Sequence, residues 1–395
     1  MFVKKKNFTN WGRNIYTNPK RCSPNNYKEL KKNIDKKSFI VHGNQRSYGD
    51  VCLNRSLAIS MKNFNQIKYF DKKKGIIEIE SGMLLKDVLP ILIEKNWFIP
   101  ITPGTKYVSL GGMIANNVHG KNIYKNQIKY YVEEIKLLGL NKKIIKCGKK
   151  KNKKKFYLTI GGFGLTGIIL TVTIKLKKIH SPCLEQKIIE FNSYKDFFRI
   201  TNEKYNYEYN VLWIENFTKS EIKGLNFLAK HSRIKKSNLI FSKDKEIGLL
   251  NLFISKLIVK NYYFSRTIHF IYKNYKKYFY NKICNFNEVF YPQDQFIDWN
   301  KIYGSKGFFQ IQFVIPKNKF KKILGEISTF FEKKKLFSPF VVIKRIDEKG
   351  KYLNYYGSGY SISFDFKINK RFENIKFFFN SIIHKYKLKV NFSKD

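Results

Sequence analysis

Three stretches of this chain combine glycine with small polar residues in the way a phosphate-bearing ligand requires. The first is Val41-His42-Gly43-Asn44-Gln45-Arg46-Ser47-Tyr48-Gly49-Asp50. The second runs from Pro103-Gly104-Thr105 through Ser109-Leu110-Gly111-Gly112 to Asn116-Asn117-Val118-His119-Gly120-Lys121-Asn122. The third is Gly161-Gly162-Phe163-Gly164-Leu165-Thr166-Gly167. Lacking a Cβ, glycine lets the backbone approach a ligand closely and turn its N–H groups onto phosphate oxygens. The first two loops lie on either side of an amphipathic segment, an arrangement that suits a dinucleotide pyrophosphate between them. A Rossmann site is excluded, because no G-x-G-x-x-G follows a first strand with an acidic residue about 20 positions on, and a Walker lysine motif is also absent.

Such loops need strands and short helices to hold them. Residues 37–60 and 75–80 read as short strands, the second ending in a turn at Gly82. Leu85, Val88, Leu89, Leu92 and Ile93 recur at helical spacing within 84–96. Residues 110–116 predict a short helix. Residues 133–140 and 165–176 predict strands flanking a lysine-rich tip at 142–155, expected as a solvated hairpin loop. His180-Ser181-Pro182 marks a boundary between domains. Beyond it, 186–191, 209–215, 289–296, 308–315, 341–346 and 360–366 predict strands of a second sheet, 317–333 a covering helix, and 390–395 a return of the chain to the boundary. There is no internal repeat.

At 395 residues the chain can hold two domains of the usual ~100–200 residues. Its net charge of +48 raises the question of a polyanionic partner. Of 77 basic residues only nine are arginine, so 68 are lysine, and Asn, Ile, Phe and Tyr are abundant as well. These are residues of A/T-rich codons. Nucleic-acid recognition favours arginine forks over lysine point charges, which argues against a nucleic-acid partner. Attraction to an anionic membrane remains open. Residues 247–287 carry Lys256, Lys260, Arg266, Lys273, Lys276, Lys277 and Lys282 among aromatic and aliphatic residues, with no Asp or Glu. That pattern suits either a membrane interface or an ordinary packed segment. Five cysteines with no C-x-x-C spacing argue against a zinc site or disulfide framework, and no metal is expected. With no signal peptide and no apolar run long enough to span a bilayer, the expected location is cytoplasmic or peripheral at a membrane face.

The glycine segments, with Trp11-Gly12-Arg13, Asp294 through Trp299-Asn300, Gly307 through Pro316 and the final Lys394-Asp395, match a known pattern in order. They resemble the FAD domain of the vanillyl-alcohol-oxidase superfamily, and within it most closely the decaprenylphosphoryl-ribose 2′-oxidases. The resemblance implies an α+β fold. A PCMH-type FAD-binding domain would span 1–180 and a substrate domain with an antiparallel sheet 181–385. Residues 386–395 would return to the FAD domain, at a C-terminus shorter than the family's. It also implies that FAD is held non-covalently, since Arg46 stands where many members carry the histidine bonded to the flavin. The cofactor residues implied are Val41, Gly43, Asn44, Gln45, Arg46, Ser47, Tyr48, Gly49, Asp50, Gly104, Ser109, Leu110, Gly111, Gly112, Asn116, Asn117, Val118, His119, Ile169 and Asn391.

For the chemistry the resemblance implies Lys394, His119 and Lys121. A lysine beside the C–H being broken can take the alcohol proton or stabilise an alkoxide. His119 would tune the flavin, and Lys121 would meet a substrate phosphate or the reduced flavin. Gln310 and Gln312 alternate on a strand and so face one side, where two amides suit sugar hydroxyls; a polar exposed strand face is the other reading. Lys344, Ser361 and Trp213 complete the implied substrate set. Ser363 stands where the family often has a cysteine, and Asn391 where it has a tyrosine. The activity implied is oxidation of the 2′-hydroxyl of a polyprenyl-phosphate pentose to a keto sugar, the first half of a 2′-epimerisation for cell-envelope polysaccharide. A short-chain ketoreductase would be the partner. Two alternatives remain, an aldonolactone or alditol oxidase of the same superfamily, and a degenerate membrane-binding relative without enzymatic activity.

Overall fold

Three short runs near the start of the chain pair as a parallel trio, β1 (Lys20–Cys22), β2 (Ile40–His42) and β3 (Leu57–Ser60), in the order β1-β3-β2. The structure is a computed structural model that describes residues 8–34, 38–234, 245–246, 249–280, 282–347 and 352–394. The fold is α+β and divides into two units. The first comprises Met1–Gly120, Lys125–Ser181 and Tyr352–Asn354; the second comprises Lys121–Tyr124, Pro182–Lys351 and Tyr355–Asp395.

In the first unit β4 (Ile67–Asp71) and β5 (Ile76–Glu80) form a hairpin, followed by α1 (Leu85–Glu94) and α2 (Leu110–Ala115). The predicted stripe of α1 is buried at all five positions. β6 (Val132–Leu138), β7 (Ile144–Gly148), α3 (Lys153–Thr159) and β8 (Ile168–Lys175) follow, and the strands join an antiparallel sheet in the order β7-β6-β8-β5-β4. Leu57 and Ile59 of the parallel trio pack with Leu138, Ile168 and Leu170 of this sheet in one apolar cluster. The lysine-rich tip is therefore not the hairpin loop expected over 142–155. Its lysines mask a strand and a helix whose inward residues, Cys147 and Phe156, are fully buried. Burial of those two side chains outweighs the propensity of the charged residues around them.

The second unit is built on one antiparallel sheet. Its elements in chain order are β9 (Cys183–Phe191), α4 (Tyr194–Asn202), β10 (Tyr209–Phe217), β11 (Ile222–His231), α5 (Leu249–Lys260), α6 (Tyr262–Tyr278), β12 (Ile283–Asn285), β13 (Phe308–Ile315), α7 (Phe320–Lys334), β14 (Val341–Asp347), β15 (Ser358–Lys367), α8 (Phe372–Tyr386) and β16 (Lys389–Val390). The strand order is β12-β9-β11-β10-β14-β15-β13-β16. Phe309, Ile311, Phe313, Ile343, Ile362 and Phe364 point to one face and form a core with Phe197 of α4, Phe320, Ile323 and Ile327 of α7, and Phe379 of α8. Each such side chain contributes about 1.5–3 kcal/mol on burial. With that face covered, the strand residues between them are left for the opposite, polar face.

Of the strand predicted over 289–296 only Phe296 is extended, in the two-residue strand Phe296–Ile297. Asn285 caps a short helix, Phe286–Phe290, in a reciprocal capping box with Glu288, and a 3₁₀ turn, Pro292–Gln295, follows. The capping box and the proline set the backbone there, whereas the apolar run alone is compatible with helix or strand. At the chain end β16 pairs with Phe313 and Val314 at the edge of the second-unit sheet.

Candidate functional site

The residues predicted to bind a cofactor fall, with one exception, in the first unit, and close approaches between its loops bring them together. Gly43 faces Ser109 so tightly that a Cβ on it would lie 1.9 Å from the Ser109 hydroxyl oxygen. Asn44 donates to the Tyr107 carbonyl at 2.8 Å, tying the loop after β2 to the segment before α2. Gln45 adopts φ 49° and donates to the Thr9 carbonyl at 3.0 Å. Trp11 donates its backbone N–H to the Ser47 carbonyl at 2.8 Å, and the Asn10 amide donates to that of Tyr48. The Arg46 guanidinium lies 3.8 Å from the Trp11 ring centre and 4.9 Å from that of Tyr107. Stacked cations of this kind are held by the ring quadrupole as well as by charge.

The second loop is set on the core of the same unit. Ser109 caps α2 by accepting from the Gly112 N–H at 3.2 Å, while Leu110 and Gly111 donate to the carbonyls of Met83 and Ser81. A Cβ on Gly111 would come within 2.8 Å of the Ser81 side chain. A Cβ on Gly104 would meet no atom of the described residues within 4 Å. At the far end of α2, Gly161 and Phe163 donate to the carbonyls of Ile114 and Ala115. Asn116 donates to the Gly112 carbonyl at 2.8 Å. The buried Asn117 takes φ 41° and donates to Gln127 at 2.8 Å and to Asn354 at 3.0 Å. His119 sits two residues on, with Nδ1 3.3 Å from the Gly120 carbonyl oxygen and its backbone bridged to Gln127. Ile169 lies on β8 beside Leu170, whose carbonyl accepts from Ser81. Three glycine loops thus meet around one short helix. The open side of Gly104 and the tight sides of Gly43 and Gly111 fit the pyrophosphate of a dinucleotide such as FAD.

The predicted substrate residues gather on the polar face of the second unit. Lys344 lies opposite Ser361, Gln312 opposite Ser363 and Gln310 opposite Asp365 in the β14-β15-β13 register. Gln312 donates to the Ser361 hydroxyl at 2.9 Å and accepts from the Asn391 amide at 2.7 Å. Asn391, expected among the cofactor residues, lies in the second unit and bonds there to Gln312, a residue expected in the substrate set. Gln310 donates to one oxygen of Asp365, and the Tyr303 hydroxyl donates to the other at 3.0 Å. Both glutamines face the same side, as their alternation predicts, and both brace neighbouring strands.

Charge on this face is unusual. Lys121, on the second unit's side of the Gly120–Lys121 junction, donates to the Val289 and Phe290 carbonyls at the end of the short helix. Although Lys121 and Lys344 keep some exposed surface, their ammonium groups are enclosed by protein. Burial and then the like charge of Lys344 push Lys121 down to about 7, against the opposing charge of Asp294. Burial alone pushes Lys344 down to about 8. Burial raises the Asp365 carboxyl, countered by the Gln310 hydrogen bond, the Lys394 charge and the Tyr303 hydrogen bond. Lys394 is positioned by its backbone N–H, which donates to the Asn391 carbonyl at 2.9 Å. Trp213 lies on the same face farther along the sheet, where His269 and Tyr272 of α6 pack edge-on against it at 5.4 and 5.0 Å.

Sequence reasoning passed over Asp365, Tyr303 and Asp294 as site residues. The alternation Ser361, Ser363, Asp365 opposite Gln312 and Gln310 would have flagged the first. Tyr303 and Asp294 come from 3₁₀ turns with no periodic signal.

A family model described as an FAD binding domain matches residues 28–148. The chain is 28% identical to decaprenylphosphoryl-beta-D-ribose oxidase of Mycolicibacterium smegmatis over 327 residues, covering 77% of this chain and 70% of that protein. It is 26% identical to L-gulonolactone oxidase of Bos taurus over 42% of this chain and 40% of the relative. It is 29% identical to D-lactate dehydrogenase of Anaerostipes hadrus over 32% and 28% respectively. The chain thus spans well under half of the last two.

Proposed function

We propose, from the premise that this chain is an FAD-dependent oxidoreductase of the vanillyl-alcohol-oxidase superfamily acting on a CH–OH group, that its substrate is a polyprenyl-phosphate pentose oxidised at the 2′-hydroxyl to a keto sugar. The observation that carries this reading is the pair of enclosed ammonium groups of Lys121 and Lys344 on the polar sheet face. Two cations that repel each other in a low-dielectric setting gain from a phosphate placed near both, because the anion favours their charged forms. A neutral lactone or polyol brings no such compensation. The relative aligned over most of this chain is named as an oxidase of a phosphoryl-ribose, which agrees with that chemistry.

FAD, when bound, accepts the hydrogen and two electrons removed from the alcohol carbon. The glycine loops and Arg46 would hold it without a covalent bond, with His119 at the end of the same set of loops. On the polar face, Gln312, Ser361 and Asn391 orient the sugar hydroxyls as one braced unit. Lys394 takes the proton from the reacting hydroxyl or steadies the alkoxide. Asp365 answers its charge. The keto sugar then passes to a ketoreductase partner, which completes the epimerisation.

The test is anaerobic reduction of the purified flavoprotein by decaprenylphosphoryl ribose, with L-gulonolactone in parallel. Bleaching of the flavin band by the phospholipid sugar alone supports the proposal. Bleaching by the lactone alone assigns the chain to the lactone oxidases. Flavin released by acid confirms non-covalent attachment, and flavin that stays with the denatured protein refutes it.

A further inference from the structure

Helix α6 carries two different faces. Its inner face is pinned to the second-unit sheet: Lys273 pairs with Glu215 at 2.8 Å and Glu190 at 3.4 Å, and Lys277 pairs with Glu190 at 2.8 Å. His269 lies 3.1 Å from the Pro339 carbonyl and packs on Trp213. Ser265 and Lys273 are buried on this side. The outer face is apolar where a surface helix is normally polar. Tyr263 is 76% exposed, Phe270 57%, Ile271 55%, Tyr275 55% and Tyr278 67%. These positions recur at i, i+7, i+8, i+12 and i+15, one continuous stripe on a helix.

Charge says what would cover that stripe. Within residues 247–287 there is no carboxylate, and Lys256, Lys260, Arg266, Lys276 and Lys282 are interspersed with the aromatic residues in sequence, with Arg266 bordering the stripe on α6. The two carboxylates that reach α6, Glu190 and Glu215, lie on β9 and β10 beneath its inner face. We infer that the outer face of α6 is a docking surface for an anionic phospholipid bilayer, its aromatic stripe entering the headgroup boundary while the basic residues of 247–287 meet lipid phosphates. Tyrosine suits that depth, since its ring is apolar and its hydroxyl stays wet. The expected mode is a helix lying in the plane of the interface. Among the described residues no helix is long and apolar enough to cross a membrane. The inference rests on the helix and not on the sugar substrate proposed above.

The experiment is co-sedimentation with phosphatidylglycerol/phosphatidylcholine vesicles, without substrate, at ~0.15 M salt, where the Debye length is about 8 Å. The parent protein is compared with the triple variant Phe270→Ser, Tyr275→Ser, Tyr278→Ser and with a charge control, Lys150→Ser, Lys151→Ser, Lys154→Ser, in the first unit's lysine-rich stretch between β7 and the first turn of α3. The aromatic variant should lose at least about tenfold in partitioning, as expected for removing several apolar side chains from an interface. The control should lose less than about twofold, and vesicles of phosphatidylcholine alone should bind neither protein well. All three altered aromatic positions are exposed, so flavin content and thermal midpoint should match the parent. Equal partitioning of parent and aromatic variant overturns the inference, because net charge alone would then account for binding. So does a parent that is dimeric in light scattering, becomes monomeric in the aromatic variant and shows no vesicle binding, since a second copy then covers the face.

Discussion

The two units make their sites from different materials. In the first, the cradle is backbone: glycines at 43 and 111 are required by contacts of 1.9 and 2.8 Å that any Cβ would make, and side chains such as Asn44 and Asn117 serve to fix loops. In the second, the polar face is built from side chains, Lys344, Gln310, Gln312, Ser361 and Asp365, brought into line by strand register. A backbone site tolerates little change in shape but asks little of side-chain chemistry. The side-chain site has the reverse character, and substitution there should alter reactivity while leaving the fold intact.

The sharpest division between holding and reacting falls at Lys394. Lys394→Ala should lower flavin reduction by the sugar lipid by about 10²–10⁴-fold, the usual worth of a positioned base, with flavin content unchanged. Lys394→Arg should rescue little, because arginine keeps its proton. The measurement is anaerobic reduction at matched flavin content. Loss of flavin instead would assign Lys394 to the cofactor site and erase the division.

Next in size is Gly43→Val or Gly111→Val. Overpacking of this kind costs about 1–3 kcal/mol, so FAD affinity should fall about 10- to 100-fold as the loop is pushed off Ser109 or Ser81. Fluorescence titration of the apoprotein with FAD checks it, and unchanged affinity would take these loops out of the site.

The pH response should separate the units too. Unfolded lysine titrates at 10.5, whereas Lys121 and Lys344 titrate at about 7 and 8 in the fold. Between those values the unfolded chain binds more protons, so stability falls as pH drops from 10.5 towards 7. A phosphate ligand draws the protons back, so its affinity should weaken about tenfold as pH rises from about 7 to 9. FAD affinity, set by backbone groups, should hardly move over that range. Calorimetric titrations of both ligands across pH make the comparison.

The smallest effect is expected at Gly104→Ala. With no atom of the described residues within 4 Å of the new methyl, stability should change by less than about 0.5 kcal/mol. A drop in FAD affinity without a drop in stability would show that this glycine is spared for the ligand. No drop in either would confine the cradle to Gly43, Gly111 and Gly112.

Much of this molecule was legible from its residues. The stripe from Leu85 to Ile93, the alternation of Phe309, Ile311 and Phe313 against Gln310 and Gln312, and the break at Ser181–Pro182 all have periods or punctuation that local sterics enforce. Glycine clusters likewise announce themselves, since few other residues meet a backbone so closely. What stayed hidden depended on partners distant in sequence. The lysines of 142–155 concealed Cys147 and Phe156, whose burial against other elements decides a strand and a helix there. The capping of Phe286–Phe290 defeated an apolar run that read as a strand. Tyr303 meeting Asp365 across 62 residues, and Lys121 meeting the Phe290 carbonyl across 169, follow from no local pattern. The chain by itself determined which segments are strand or helix where one face repeats, and where its glycine clusters fall. Only the tertiary structure decided which polar groups share an enclosure, because enclosure and the repulsion of two ammonium groups are properties of space rather than of order along the chain.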